Sequence, residues 1–373
     1  MTGKLRLFTK RLLIYANVLA IFFFLLSFLV PYLNPQTWWF IAFLGIGFPF
    51  LLALLILFML LWLVMRKPRY ALISAITVLL GFKNISVFFA FHRTAAFEYK
   101  KTVGDLRIAT WNVARFLEMR RNNNKGSQTR LKMMELIRQQ DADIVCLQEF
   151  FHSLDSAWYQ NLTYISKNLG YPYWFFSHDL DADVHYTGSV IFSRYPIIDS
   201  SMIRYPRPTL PDALIHADIK VNDDTIRVYT THLQSLQFGK RDYERIGKIE
   251  KAEDSLLSNS RTILSKIKRG VSYRSIQARL IDQVLGDSPY PVLFCADLND
   301  IPDSYTYFTV RGDMQDAFLK KGFGIGRTFS ALSPTLRIDY IFADDHFKIK
   351  QFNRLVKNYS DHFMLLADVE LMK

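Results

Sequence analysis

The segment Asn358-Tyr359-Ser360-Asp361-His362-Phe363-Met364, close to the end of the 373-residue chain, places an acid and a histidine beside an apolar run. Other short motifs with acid, amide or imidazole side chains precede it, and each is predicted to lie at the C-terminal end of a buried, β-branched strand. Because strand ends present side chains to a cleft, we expect these groups to gather in one site. The preceding motifs are Thr110-Trp111-Asn112-Val113, Leu147-Gln148-Glu149, Thr231-His232-Leu233, Ala296-Asp297-Leu298-Asn299 and Arg337-Ile338-Asp339-Tyr340, beside apolar runs at 106–113, 144–147, 226–231, 292–295 and 338–342.

The side chains in these motifs favour metal-assisted phosphate chemistry. They are carboxylates, two amides and two imidazoles, with no cysteine or serine nucleophile at a strand–helix turn. Hard oxygen ligands suit Mg²⁺ or Mn²⁺, and those ions suit phosphate. The sequence therefore predicts attack of water on a phosphoester.

The order of the motifs along the chain resembles that of the endonuclease/exonuclease/phosphatase superfamily. Asn, Glu, His, Asp-x-Asn, Asp and Asp-His follow one another, and the resemblance covers residues 104–373. It implies an α/β fold, the DNase I-like four-layer α/β/β/α sandwich, here preceded by N-terminal transmembrane helices. The superfamily includes abasic-site endonucleases and neutral sphingomyelinases, so the implied activity is that of a metal-dependent phosphoric ester hydrolase.

The resemblance also implies a set of metal ligands. Glu149 is the expected principal ligand of Mg²⁺ or Mn²⁺, and Asn112 is expected to bind the ion directly or through water. Asp361 is expected either to join the metal shell or to support it.

Five further residues carry catalytic roles by the same resemblance. Asp297 is expected to orient or deprotonate the attacking water, and Asn299 to stabilise the pentacovalent transition state. Alternation along a strand places these two side chains on the same face. His232 and His362 are expected to donate hydrogen bonds to the phosphoryl oxygens. Asp339 is expected to hold His362 in the required tautomer.

The first hundred residues are a different kind of sequence, with no acid before Glu98. Apolar stretches at 12–32, 38–65 and 70–91 meet or approach the ~20 residues that cross a bilayer. We therefore divide the chain into a membrane anchor, residues 1–101, and a catalytic domain, residues 102–373. Lys83 and Asn84 interrupt the third stretch, so a re-entrant or surface-lying helix remains an alternative to a third span.

The positions of basic residues predict how the anchor is oriented. They lie before the first stretch and between the second and third, and the connector at 33–37 carries none, so the positive-inside rule places both basic segments in the cytoplasm. Three crossings then put the catalytic domain outside the cytoplasm, at a bacterial-type cytoplasmic membrane, whereas two crossings leave it inside. These residues are Lys4, Arg6, Lys10, Arg11, Arg66, Lys67 and Arg69.

The distribution of charge bears on the substrate. Residues 1–101 hold eleven of the 46 basic and one of the 34 acidic residues, so the anchor carries +10 of the net charge of +12. Residues 102–373 are nearly neutral, and this counts against a polynucleotide as substrate, because proteins bind polynucleotides through basic faces. Tethering favours a lipid or small phosphodiester as substrate and the lipid bilayer as partner. A nuclease acting on nucleic acid and a non-catalytic, membrane-tethered scaffold remain alternatives, and the sequence identifies no protein partner.

A basic insertion at about 236–275 lies between the motifs of His232 and Asp297. Its lysines and arginines predict a helical excursion, which is either a solvated surface or a surface for anionic headgroups or a phosphorylated substrate.

Overall fold

The computed structural model describes residues 3–92, 96–121, 128–209, 212–239, 241–242, 244–246 and 256–372. Four helices begin the chain: α1 (Gly3–Ser27), α2 (Pro35–Val64), α3 (Pro68–Leu80) and α4 (Phe82–Phe88). In this described part, α1 and α2 are each long and apolar enough to cross a membrane. Helices α3 and α4 meet at a bend of 63° and provide a third span only if the pair crosses as one.

The bend between α3 and α4 lies at Gly81, where α1 approaches closely. A Cβ at Gly81 would stand 2.7 Å from the Cζ atom of Phe24, so a larger residue would push the helices apart. The stretch 70–91, predicted from hydropathy as one segment, is therefore two helices at an angle followed by a short strand.

The anchor helices bring their basic segments to one end of the bundle. The Nζ atom of Lys10 lies 5.8 Å from the centroid of the Tyr70 ring, which places the start of α1 beside the start of α3. At the other end, the Nζ atom of Lys83, in α4, donates to the hydroxyl of Tyr32, in the α1–α2 connector, at 2.7 Å. The chain thus leaves α4 at the end opposite to the basic segments.

The rest of the described chain forms two large mixed sheets and one small two-stranded sheet. The strands are β1 (Ala90–Phe91), β2 (Asp105–Asn112), β3 (Ile144–Ser153), β4 (Tyr173–Phe176), β5 (Asp179–Ala182), β6 (His185–Ser193), β7 (Ile197–Arg204), β8 (Ala213–Val221), β9 (Asp224–His232), β10 (Val292–Asp297), β11 (Gln315–Asp316), β12 (Phe323–Gly324), β13 (Asp339–Ala343), β14 (Phe347–Leu355) and β15 (Met364–Leu371). One sheet has the order β11-β13-β10-β9-β8-β7, and the other has the order β14-β15-β2-β3-β6-β4, with β5 paired to β6. Strand β1, at the exit from α4, pairs with β12.

Helices cover the outer faces of the two sheets. They are α5 (Thr129–Gln139), α6 (Asn161–Asn168), α7 (Leu256–Gly286), α8 (Tyr305–Arg311) and α9 (Ala317–Lys321), with a 3₁₀ turn at Ala114–Phe116. The predicted basic insertion at about 236–275 thus contains the first part of α7. The helix continues beyond residue 275 to Gly286.

Three apolar cores separate the layers. Ile108, Cys146 and Cys295 lie between the two sheets, and both cysteines are free and fully buried. Trp111, on the other face of β2, packs beneath α5 and α6. A third core joins the outer face of the β10 sheet, including Phe294, to α7, α8 and the anchor. The observed architecture is therefore the predicted α/β/β/α sandwich, with the anchor packed on one outer layer.

One edge of this sandwich collects the ends of strands from both sheets. Strands β9 and β10 are parallel, and in their register Asp297 pairs with His232. Strand β13 is antiparallel to β10, and its first residue, Asp339, pairs with Asp297. The prediction that every motif closes a strand is wrong for Glu149, which lies inside β3, for Asp339, and for His362, which precedes β15. Asp339 and His362 belong to the same edge because an antiparallel neighbour begins where a parallel strand ends.

Candidate functional site

The carboxylate of Asp297 is the centre of the candidate site. Its side chain is fully buried at the end of β10, and its Oδ2 atom lies 3.7 Å from Nε2 of His232 and 3.7 Å from Nε2 of His362. The Nδ2 atom of Asn112 donates a hydrogen bond of 3.0 Å to the same oxygen. Burial, reinforced by the carboxylate of Asp339, raises the pKa of Asp297, while both histidines oppose that rise.

Glu149 reaches the site from an irregular position in β3. The register of β3 with β6 shifts between Leu147 and Phe150, and Glu149 has a φ of 47°, a left-handed conformation that is uncommon for a residue with a Cβ. Such strain persists where surrounding structure imposes it, and it clusters at functional sites. The bulge leaves the Glu149 side chain 39% exposed while Asn112 donates to its Oε1 atom at 3.1 Å.

His362 and Asp339 form a buried pair. The Nδ1 atom of His362 lies 3.1 Å and 3.0 Å from the two carboxylate oxygens of Asp339, so Nε2 is the ring nitrogen that faces Asp297. The Nε1 atom of Trp111 donates to the His362 carbonyl at 2.9 Å and fixes the backbone behind the ring. Burial disfavours the imidazolium, but Asp339 and then Asp297 outweigh burial and raise the pKa of His362 to about 10.

His232 has its own carboxylate partner, Asp212, which sequence reasoning missed. The Nδ1 atom of His232 lies 3.6 Å from Oδ2 of Asp212, and Nε2 lies 3.6 Å from Oε1 of Glu149. Burial opposes the charged ring, but Asp212, Asp297 and Glu149 outweigh it and raise the pKa of His232 to about 10. Asp212 lies just before β8 and belongs to none of the motifs, so only the pairing of β8 with β9 brings it to His232.

Asn299 reaches the site by a route other than strand alternation. Strand β10 ends at Asp297, and Asn299 has a φ of 51°. Its backbone nitrogen donates to Oδ1 of Asp297 at 2.8 Å, and its side-chain Nδ2 donates to the carbonyl of Leu233 at 3.0 Å. The turn therefore brings Asn299 beside Asp297, as predicted, but for a different reason.

A cavity of about 230 Å³ opens over these groups. Asp361 lines it together with Glu149, Asp297, Asn299 and His362, and the Oδ1 atom of Asp361 accepts from the hydroxyl of Ser360 at 3.2 Å. The opposite walls are more apolar than the motifs imply, and they come from two loops without motif signals. These wall residues are Ser235, Leu236, Gln237, Phe238, Phe329, Leu332 and Leu336, and Ile338 of the Asp339 motif completes the lining.

The acids and histidines of this edge are arranged so that they could hold a divalent metal. Asp297, Asp339 and His362 offer ligand atoms within 4.8 Å of one another. Asp339, however, is bound to Nδ1 of His362, whereas Glu149 and Asp361 line the cavity, with Oε1 of Glu149 3.6 Å from Nε2 of His232. All eight residues predicted for the site thus lie at one edge, while their individual roles stay predictions.

Comparisons with known proteins agree with this architecture. Residues 109–362 match the model of the Endonuclease/Exonuclease/phosphatase family, and residues 10–88 match a domain of unknown function, DUF8431. No curated protein sequence matches the chain significantly.

Solved structures of low sequence identity are similar to the greater part of the chain. An endonuclease/exonuclease/phosphatase from Beutenbergia cavernae DSM 12333 is 19% identical with a TM-score of 0.50, and the match covers 72% of each chain. The human nocturnin catalytic domain is 18% identical over 72% of this chain and 94% of its own, with a TM-score of 0.49. Sphingomyelinase C from Streptomyces griseocarneus is 16% identical over 71% and 99%, with a TM-score of 0.45.

The family model covers both ends of the site, from β2 to His362. By this match, which spans more than half of its length, the chain belongs to the endonuclease/exonuclease/phosphatase family.

Proposed function

We propose that this protein is a membrane-anchored, Mg²⁺-dependent hydrolase of phosphodiesters, with a lipid headgroup or a small phosphodiester as substrate. The observation that carries the proposal is the buried Asp297 carboxylate, held 3.7 Å from two histidines that each have a second carboxylate partner. Two protonated imidazoles around one acid form a site for an anionic group that gains charge during reaction.

The donor set of the cavity fits Mg²⁺. Glu149 and Asp361 supply carboxylate oxygens, and the Nδ2 atom of Asn112 donates to Oε1 of Glu149 at 3.1 Å and so orients that carboxylate. Oxygen ligands with room for water are those that Mg²⁺ prefers, and Mn²⁺ shares them. The ion, when bound there, would polarise a phosphoryl oxygen and favour ionisation of water.

The residues around Asp297 then divide the remaining work. Asp297 accepts a hydrogen bond from the attacking water and orients it, and its raised pKa makes it a better acceptor of the water proton. His362 and His232, protonated because their pKa is about 10, donate Nε2–H to the phosphoryl oxygens. Because negative charge on those oxygens grows toward the transition state, these hydrogen bonds strengthen as reaction proceeds. Asn299 lies beside Asp297 and contributes an amide to the same oxygens.

The position of the site beside the anchor supports a substrate at the membrane. The segment that follows Asp297 reaches α2, where a Cβ on Gly45 would overlap the carbonyl oxygen of Asp303. Arg337, two residues before Asp339, donates to the carbonyl of Val87 at 2.7 Å. A site joined to the anchor through both of its central segments is well placed for a phosphodiester in the headgroup layer.

The same contacts support a topology in which the catalytic domain lies on the side opposite to the basic segments. The hydroxyl of Ser275, in α7, donates to Oδ1 of Asn34 at 3.2 Å, and that of Ser272 donates to the carbonyl of Pro35 at 3.2 Å. The α1–α2 connector and the catalytic domain are therefore on one side. With the basic segments in the cytoplasm, the domain is outside the cytoplasmic membrane.

A substrate panel tests this function with the detergent-solubilised full chain. It contains a bis-aryl phosphodiester, sphingomyelin, phosphatidylinositols, soluble inositol phosphates, plasmid and abasic duplex, each with Mg²⁺ or with EDTA. We expect metal-dependent cleavage of the aryl diester and of a lipid or small phosphodiester, and its loss in Asp297→Asn. Preferred cleavage of DNA would replace the substrate assignment with a nuclease. A panel without any cleavage would refute hydrolysis and favour a binding scaffold.

A further inference from the structure

Helix α4 of the anchor contacts both segments that carry the central acids of the site. The Nδ2 atom of Asn84 donates to Oδ1 of Asp303 at 2.7 Å, and the carbonyl of Val87 accepts from Nη2 of Arg337 at 2.7 Å. Asn84 and Val87 stand one turn apart on the same face of α4, and all four residues are buried. One turn of the anchor therefore binds two active-site segments at once.

The first of these segments, which follows Asp297 from Leu298 to Asp303, has no regular secondary structure and depends on side-chain contacts. Asp300 accepts from Nε of Arg274 at 3.0 Å, and the hydroxyl of Tyr340 donates to the Asp300 carbonyl at 2.8 Å. At its far end, Asp303 is followed by α8, whose N-cap is Ser304. Asn84 supplies the contact from the anchor side.

The Asp303 carboxyl makes this contact sensitive to change. Its side chain is fully buried, its Oδ2 atom has no hydrogen-bond partner among the described residues, and burial raises its pKa to about 7, which the hydrogen bond from Asn84 opposes. A buried carboxyl with one donor loses all compensation when that donor is removed. Gly45 leaves α2 in contact with the Asp303 carbonyl, so the segment has little room to adjust.

The second segment is tied to α4 through Arg337. This side chain is 1% exposed, and its Nη1 atom donates to Asp316 at 2.6 Å while Nη2 reaches Val87. The Val87 carbonyl lies in the last turn of α4, where carbonyls lack helical partners and accept hydrogen bonds from cations well. Two residues later, the backbone nitrogen of Asp339 donates to the hydroxyl of Thr328 at 3.1 Å.

We propose that α4 is a positioning element of the active site, and that Asn84, through Asp303, holds the segment bearing Asp297 and Asn299. The proposal rests on the proposed hydrolytic function but concerns how the site is held, whichever phosphoester it cleaves. The anchor then acts as a structural part of the catalytic unit in addition to tethering it.

The test uses the full chain in detergent and a double variant in which the side chains of Asn84 and Asp303 are swapped. Asn84→Leu removes the donor, and Asn84→Asp and Asp303→Asn each leave two like groups facing each other. The double variant Asn84→Asp/Asp303→Asn restores an amide–carboxylate hydrogen bond with its direction reversed. Ser86→Ala is the matched control, because the Ser86 hydroxyl bonds within the anchor to the carbonyl of Lys83.

The readouts are kcat and KM for a phosphodiester that the wild type cleaves, thermal unfolding, and amide hydrogen exchange over residues 298–303. We expect kcat to fall about 10- to 100-fold in Asn84→Leu, because small displacements of catalytic groups are that costly, with KM within about twofold. The double variant should recover most of the loss of its two single variants, and Ser86→Ala should behave as the wild type.

An unchanged kcat in a folded Asn84→Leu variant would overturn the proposal, as would a double variant no more active than its parents. Should Asn84→Leu fail to fold, the double variant Asn84→Asp/Asp303→Asn is compared with its two single variants, and the same criterion applies. If the wild type cleaves nothing, the hydrolytic function fails by itself, and hydrogen exchange still decides the positioning role. Faster exchange at 298–303 in Asn84→Leu, but not in Ser86→Ala, would support the role, and equal exchange would refute it.

Discussion

Replacing Asp339 with Asn tests whether this carboxylate acts through His362. In the structure both Asp339 oxygens lie 3.0 to 3.1 Å from Nδ1 of His362, and both side chains are buried. The Asp339→Asn variant keeps the shape of the side chain but removes the charge that stabilises the imidazolium. We expect the protonated ring to become less stable and its Nε2–H to become a weaker donor to phosphate.

The size of the effect follows from the single hydrogen bond that changes. A hydrogen bond to a charged group contributes about 1.5–3 kcal/mol. At about 1.4 kcal/mol for each factor of ten, its loss lowers kcat by about 10- to 150-fold. His362→Ala removes the donor itself and should lower kcat by about 10²- to 10⁴-fold. Because Asp339 is predicted to act only through His362, the double variant should be little slower than His362→Ala alone.

The assay is kcat for a metal-dependent phosphodiester substrate, measured from pH 6 to 10.5 with the folded state checked by thermal unfolding. The pKa of His362, about 10, lies above its ordinary value of 6.5. Loss of Asp339 lowers this pKa, so the alkaline fall in activity should move to lower pH in Asp339→Asn. Fully additive losses in the double variant, or an unmoved alkaline limb, would refute the coupling.

Other predictions concern the metal, the acid, topology and stability. EDTA should abolish activity and Mg²⁺ or Mn²⁺ restore it, and Glu149→Gln should require a higher Mg²⁺ concentration for half-maximal rate; chelator-resistant hydrolysis would contradict this. Asp297→Asn should lower kcat by about 10²-fold or more while the protein stays folded. A fusion after Lys101 should give active alkaline phosphatase, whereas a fluorescent cytoplasmic reporter would reverse the topology. Because folding raises the pKa of His232 and His362 from 6.5 to about 10, their contribution to the free energy of unfolding is complete below pH 6.5 and lost as pH approaches 10. Chemical unfolding across that window measures the decline.

The outline of the catalytic domain could be predicted because its evidence is local in the chain. Buried strands appear as apolar runs, and polar residues such as Asn112 and His232 stand where those runs end. The same logic failed for Asp339, which begins β13 rather than ending it. An apolar run does not reveal strand direction, and the site needs only that the residue lie at the correct edge.

In the anchor, too, some features could be predicted from the sequence and others could not. Hydropathy is a property of consecutive residues, so α1 and α2 could be predicted from sequence, whereas the bend at Gly81 lies against the Phe24 ring of another helix, a contact that hydropathy does not reveal.

Which side chains meet depends on how distant segments pack in three dimensions. Asp212 reaches His232 because β8 pairs with β9, and Asn84 reaches Asp303 because α4 packs beside the end of β10. Neither residue belongs to a motif, and the second pair is 219 positions apart. Strands, long apolar helices and the motif side chains can be predicted from the sequence, since these depend on periodicity and residue type. The partners that set their pKa values and hold them in place come from contacts between distant segments, which form only when the layers pack.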